Sequence, residues 1–213
     1  MEIINYNMSY WHAWDKGLCN RDKYILDGLV KNPEVEKVLS VDFIPFNLRS
    51  AAREYLLAKI YKRDENTVLK GLTYKVNKKS DKLYSCSTLC ERPLKKIARE
   101  LGFKNPAILS HNPFARKYFE YFKASVKFFE ANDNWVKNET FAKYKDKLAD
   151  NYRFIHKNSA KIFSVSENLK SEIFANDPNV DVAPNGVAIE HFQKNIVVKE
   201  RIKKAISFLI LKT

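Results

Sequence analysis

Apolar and polar positions change period repeatedly along this chain. Glu2 to Met8 is a short apolar run that reads as a first strand. From Asn20 to Val30 the pattern turns helical, with Tyr24, Ile25 and Leu29 on one side. Pro33 closes that helix, because its ring disfavours helical backbone in the residue before it. Val35 to Phe43 is rich in β-branched residues and predicts a second strand. Ser50 to Arg63 has helical spacing through Ala52, Tyr55, Leu56 and Ile60. Thr67 to Tyr74 and Lys82 to Cys86 read as two strands, joined as a hairpin across the charged stretch from Asn77 to Asp81. Pro93 opens a helix where its missing N–H costs little, Leu94, Ile97, Ala98 and Leu101 line its apolar face, and Gly102 stops it.

The second half repeats the alternation. Pro106 to Leu109 is a short strand ending in Ser110-His111-Asn112-Pro113, and Arg116 to Phe122 a short helix. Ser125 to Glu130 is the next strand, followed by a longer helix from Thr140 to Lys157 with Phe141, Tyr144, Leu148, Tyr152 and Ile155 on one stripe. From Ala160 the chain reads as a strand ending at Ser166, a helix, a second strand, and then Pro184-Asn185-Gly186-Val187. Strands that alternate with amphipathic helices predict an α/β fold, a Rossmann-like three-layer sandwich with a mostly parallel sheet. Right-handed crossovers bring the strand ends to one edge, outside which ligands of open α/β sheets collect.

Composition narrows the class. A chain of 213 residues with 45% hydrophobic and 13% aromatic residues can bury a sizeable core and is not disordered. No apolar run approaches the roughly 18 residues needed to span a bilayer, and Met1 to Asn5 shows no basic region leading into an apolar one. Cys19, Cys86 and Cys90 are an odd number and suggest no disulfide framework, so a reduced, cytoplasmic protein is expected. The net charge of +13 comes from scattered lysines, which reads as a solvated surface rather than a nucleic-acid site. A smaller excess from Arg53 to Lys104 marks a face suited to anionic lipid, hence peripheral contact with the inner face of a membrane.

No motif writes the chemistry plainly. With only 5 glycines the chain has neither G-x-G-x-x-G nor a P-loop, and no G-x-S-x-G or His-Glu-x-x-His. Cys86 and Cys90 lack the further ligands a zinc site needs, and no metal is expected. Candidates therefore come from position. After the first strand, Trp11, Trp14, Lys16, Gly17 and Arg21 precede a helix; the tryptophans either offer a sugar or nucleotide surface or plug the end of the core. His111 can bond a substrate hydroxyl or phosphate, or simply the backbone of its turn. Glu130 and Asp133 are candidate acids or bases, or a cap and a salt-bridge partner. Ser166 is the N-cap of the helix beginning at Glu167, and such a cap can also present helix N–H groups to an anion. Asn185-Gly186 reads as a tight turn in which glycine permits a positive φ.

The stretch AKIFSVSENLKSEIF, followed by NVDVAPNGVAIEHF, resembles the last strand-helix-strand of the N-terminal domain of GT-B glycosyltransferases, the retaining family four in particular. Pro184-Asn185-Gly186-Val187 and His191-Phe192 match its pattern, with Ala188 where an aspartate is usual. ILSHNPF, from Ile108, and VKFFEANDNW, from Val126, are similar to the preceding strands. The resemblance covers roughly Met1 to Phe192 and is weak over Asn47 to Tyr84.

The resemblance implies the N-terminal half of a GT-B fold: an acceptor-side domain over residues 1–195, then over 196–213 an interdomain linker and the start of a second domain. It implies transfer of a hexose from a nucleotide-diphosphate sugar to a glycan or lipid acceptor, with no tightly bound cofactor. The family's C-terminal glutamate pair and Gly-rich donor loop are absent from this sequence, so the resemblance implies a separately encoded nucleotide-sugar-binding half and self-association of the exposed cleft side. His111 is the expected catalytic residue, and Trp14, Lys16, Gly17, Arg21, Asp133, Ser166, Asn185 and Gly186 the expected substrate-binding residues. A non-catalytic carbohydrate- or membrane-surface-binding module is the alternative.

Overall fold

A computed structural model describes residues 1–61, 66–123 and 125–186. The chain divides into two compact units, Met1–Ala183 and Pro184–Thr213. The first is the α/β body. Of the second only Pro184, Asn185 and Gly186 are described, and all three are exposed. The boundary expected at residue 195, the proposed linker beyond it, and Val187 to Phe192 lie outside the described residues.

Nine strands make one sheet in the order β3-β4-β5-β2-β1-β6-β7-β8-β9. The centre is β1 (Glu2–Tyr6), flanked by β2 (Lys37–Val41) and β6 (Ala107–Ser110), both parallel to it. Outward from β6 run β7 (Lys127–Ala131), β8 (Lys161–Ser164) and β9 (Val180–Val182), all parallel. Outward from β2, β5 (Leu83–Thr88) is still parallel, whereas β4 (Tyr74–Lys78) is antiparallel to β5 and to the edge strand β3 (Thr67–Lys70). The sheet is thus mostly parallel and Rossmann-like. The chain leaves β1 in one direction and returns beside it with β6, so the strand order reverses between β1 and β6.

The period-2 pattern sends side chains to both faces. Ile3, Val38 and Leu83 lie in register and pack with Trp11, Trp14, Leu26 and Val35. Leu26 belongs to α2 (Arg21–Lys31), which connects β1 to β2. On the other face Ile4, Leu39, Ile108, Phe129 and Ile162 form the larger core. It is covered by α4 (Leu94–Glu100), α5 (Tyr118–Tyr121), α6 (Lys145–Asn158) and α7 (Glu167–Phe174) through Ile97, Tyr118, Ile155 and Phe174. The remaining helices are α1 (Trp11–Asp15) and α3 (Leu48–Tyr61).

Most predicted elements appear within a few residues of their expected places. One expectation fails locally: Thr67 to Tyr74 is two strands. Gly71 starts a tight reversal closed by its N–H on Tyr74 O at 2.9 Å, and a Cβ there would overlap the Tyr74 ring. The predicted hairpin over Asn77 to Asp81 exists between β4 and β5. The long helix from Thr140 begins as a 3-10 turn, Glu139–Tyr144, capped by Asn138, before α6 takes over.

Candidate functional site

The strand order reverses between β1 and β6, and the carboxyl ends of the strands at such a reversal are the usual ligand position of open α/β sheets. Four ionisable side chains from three segments converge there: the start of α2, the end of β6 and β7. Asn20 caps α2, its side chain accepting from Lys23 N, and this fixes the first helical residues Arg21 and Asp22. The Asp22 carboxylate accepts from Met8 N at 2.7 Å and from Asn132 Nδ2 at 2.9 Å, tying the loops after β1 and β7 to the helix. His111 follows β6 directly and its N–H bonds Tyr6 O at 2.9 Å, which extends the β1–β6 pairing by a residue. Glu130 stands near the end of β7.

His111 Nδ1 lies 2.7 Å from Glu130 Oε2 and 4.0 Å from Asp22 Oδ1. The contact to Glu130 is a close ion pair, and neither His111 Nδ1 nor Glu130 Oε2 has another hydrogen-bond partner among the described residues. Arg21 Nε donates to Glu130 Oε1 at 2.8 Å, and its Nη2 donates to Glu130 Oε1 and to Ala183 O, the latter at 2.9 Å. His111 is 1% exposed, Asp22 2% and Glu130 4%.

The electrostatics follow from this packing. Burial alone would lower the proton affinity of His111, but the Asp22 carboxylate and then Glu130 more than offset it against the opposing Arg21, and the imidazole is held above its ordinary value. Burial would raise Glu130; the contacts with His111 and Arg21 override it and leave the carboxyl below its ordinary value. With the imidazole protonated the quartet is neutral, two acids against two bases. An imidazolium donates from both nitrogens. Nδ1 faces the carboxylates, while Nε2 is buried and has no partner among the described residues, as is also true of Asn132 Oδ1. The arrangement can orient a donor N–H toward a hydroxyl or phosphate oxygen.

Of the residues singled out in the sequence, Arg21 and His111 meet in this quartet. Glu130, a candidate acid or base, sits between them. Asp22 and Asn132 complete the cluster and were not anticipated; an acid in the first helical turn beside the first strand end was the available signal. Trp14 is a core residue, 6% exposed, with its ring edge-on to Trp11 at 5.5 Å and Nε1 donating to Asn20 Oδ1 at 3.1 Å. The core-plug alternative describes it, and its ring offers no face to a sugar. Lys16 is the exposed C-cap of α1, and Gly17 follows with φ +93°, a backbone that favours glycine. Asp133 is exposed and serves its own turn, its carboxylate accepting from Asn134 N at 2.7 Å and its carbonyl from the Tyr152 hydroxyl at 2.9 Å.

Ser166 caps α7 as expected, accepting from Leu169 N at 3.2 Å. Asn185 and Gly186 belong to the second unit; the φ of Gly186 is not in the left-handed region expected of it, and Val187, which would close a turn there, lies outside the described residues. Among the described residues no group of His, Cys, Asp and Glu has the geometry to hold a metal ion, and no helix is long and apolar enough to cross a membrane.

No protein-family model, curated protein or solved structure matches this chain.

Proposed function

We propose that the chain forms the acceptor-side part of a GT-B glycosyltransferase, which transfers a hexose from a nucleotide-diphosphate sugar to a glycan or lipid acceptor. The observation that carries this reading is the buried Arg21–Asp22–His111–Glu130 quartet at the carboxyl ends of the strands where their order reverses, with His111 Nε2 lacking a partner among the described residues. The Pro-Asn-Gly-Val resemblance supports it independently. In this role Glu130 and Asp22 keep the His111 imidazole protonated and oriented, and Nε2 donates to an acceptor hydroxyl or a phosphate oxygen. Arg21 fixes Glu130 and thereby the imidazole. Binding of the nucleotide sugar is contributed from outside residues 1–183.

The test is acceptor binding and sugar transfer. The full chain is screened against a glycan and glycolipid panel, and sugar transfer is measured with several nucleotide sugars, alone and with the product of the adjacent reading frame. Acceptor binding that His111→Ala weakens about tenfold, the worth of one charge-assisted hydrogen bond, is the expected result. Absence of both transfer and acceptor binding overturns the reading. The non-catalytic alternative has its own support: a buried quartet with His111 at 1% exposure also serves simply to hold the strand ends of a binding module together. Acceptor binding without transfer under every pairing supports that module.

A further inference from the structure

A second charged feature lies at the opposite end of the sheet, among the segments that lead into the amino ends of β6 and β7. It is a groove of about 880 Å³ between α4 and the stretch from Glu120 to Ser125. Discrete small-molecule sites span about 300–1,000 Å³. One wall is a cationic stripe, Arg92, Lys95, Lys96 and Arg99, spaced so that all four share one side of α4 and its entry. Lys104 and Lys123 stand on the other segments, and Glu120 is the sole acid of the lining. Phe103, Tyr121 and Phe122 supply apolar surface between the charges.

All six cations are exposed, and only Lys96 has an ion-pair partner among the described residues, Glu100 at 3.7 Å on its own helix. Repulsion between like charges closer than the screening length, about 8 Å at physiological salt, is only partly screened. A solvated surface relieves such repulsion by interspersing acids, as this chain does elsewhere: Lys23 pairs with Asp27, Lys137 with Glu172 and Lys161 with Asp181. A concave surface carrying cations with a single acid, over an aromatic floor, is instead complementary to clustered negative charge. Arginine's planar fork and lysine's point charge both suit phosphate oxygens.

We infer that this groove binds clustered phosphate groups, carried by a free polyphosphorylated molecule or by neighbouring headgroups of an anionic lipid surface. The site is distinct from the carboxyl-end quartet, and the inference stands whether or not the proposed transferase activity does.

The experiment uses the full chain and two probes, inorganic tripolyphosphate in titration calorimetry and vesicles of phosphatidylglycerol with phosphatidylcholine in co-sedimentation. Lys95→Ser with Arg99→Ser removes two exposed charges from the groove; Lys31→Ser with Lys157→Ser removes the same charge elsewhere. Thermal unfolding of each variant checks that the fold is retained. The expected result is saturable binding of at least one probe, weakened about tenfold or more in the groove pair and less than about twofold in the control pair, with affinity falling as salt rises. Binding of tripolyphosphate identifies a free anion as sufficient; binding of vesicles alone identifies the lipid source. Failure of both probes, equal loss in the two pairs, or binding confined to an added oligonucleotide overturns the inference.

Discussion

The two ends of β6 and β7 handle charge in opposite ways. At the carboxyl ends Arg21, Asp22, His111 and Glu130 are withdrawn from water and each faces an opposite charge. At the amino ends six cations stay in water around a groove, and among the described residues only Lys96 has an ion-pair partner. Taking ions out of water costs several kcal/mol each, and pairing about offsets it, so a buried quartet contributes little net stability but tolerates the loss of no member. Exposed cations repel weakly and tolerate replacement one by one. The first end therefore depends on geometry and the second on summed charge.

Substitutions separate these cases. Glu130→Ala strands His111 and Arg21 beside one remaining carboxylate and is expected to destabilise the fold by about 3–5 kcal/mol in urea unfolding. A loss under about 1 kcal/mol would place the quartet with the exposed charges. His111→Gln comes next, at about 2 kcal/mol near pH 6, because two carboxylates then face each other without the cation. Its pH dependence has a definite sign. The proton affinity of His111 is raised in the fold. The stability it contributes is therefore full below the unfolded imidazole value of about 6.5 and is lost as pH rises through the raised folded value. Unfolding curves of the two proteins should converge as pH climbs through that range; a gap that widens would contradict the charged imidazole.

Replacing a fork by a point charge makes a finer cut. Arg21→Lys keeps the charge but cannot hold both Glu130 and Ala183 O, and is expected to cost about 1–2 kcal/mol. The same change at Arg99 should stay within about 0.5 kcal/mol. Equal effects would erase the distinction between the ends. The smallest effect is at the groove itself. Lys95→Ser with Arg99→Ser is expected to raise the melting temperature by about 1–2 °C at low salt, by relieving repulsion, and to lose that gain at 0.5 M salt. A melting temperature that falls would show these side chains to be structural.

Local physics was legible in the sequence, and long-range assembly was not. The alternation through Ile3, Ile4 and Tyr6, the Ser166 cap and the β4–β5 hairpin are written within short windows. The split of Thr67 to Tyr74 turned on Gly71, which also fits a strand until the Tyr74 ring is seen beside it. Trp14 satisfied a binding surface and a core plug equally until its neighbours were known. The quartet lay further out of reach. Arg21 and Glu130 are separated by 109 positions, and nothing in either local sequence points to the other. His111 was visible only as a residue at a strand end, and the carboxylates that fix its charge come from segments whose adjacency depends on the order of strands.

The pairing of β1 with β6, which sets Ile3 beside Ala107, also has a consequence in time. The segment from β1 through α1 and α2 to β2 can close early, since only some thirty residues join its strands. Bringing β6 to the free side of β1 closes a loop through the whole β3–β5 arm and α4, and long loops close late because the entropy is lost before their contacts are gained. The ionic quartet spans that seam and cannot form before it. We expect Glu130→Ala to quicken unfolding while leaving the refolding rate almost unchanged, as contacts made after the rate-limiting step do. The seam at the centre of the sheet is then the last part of the body to assemble and the first to come apart.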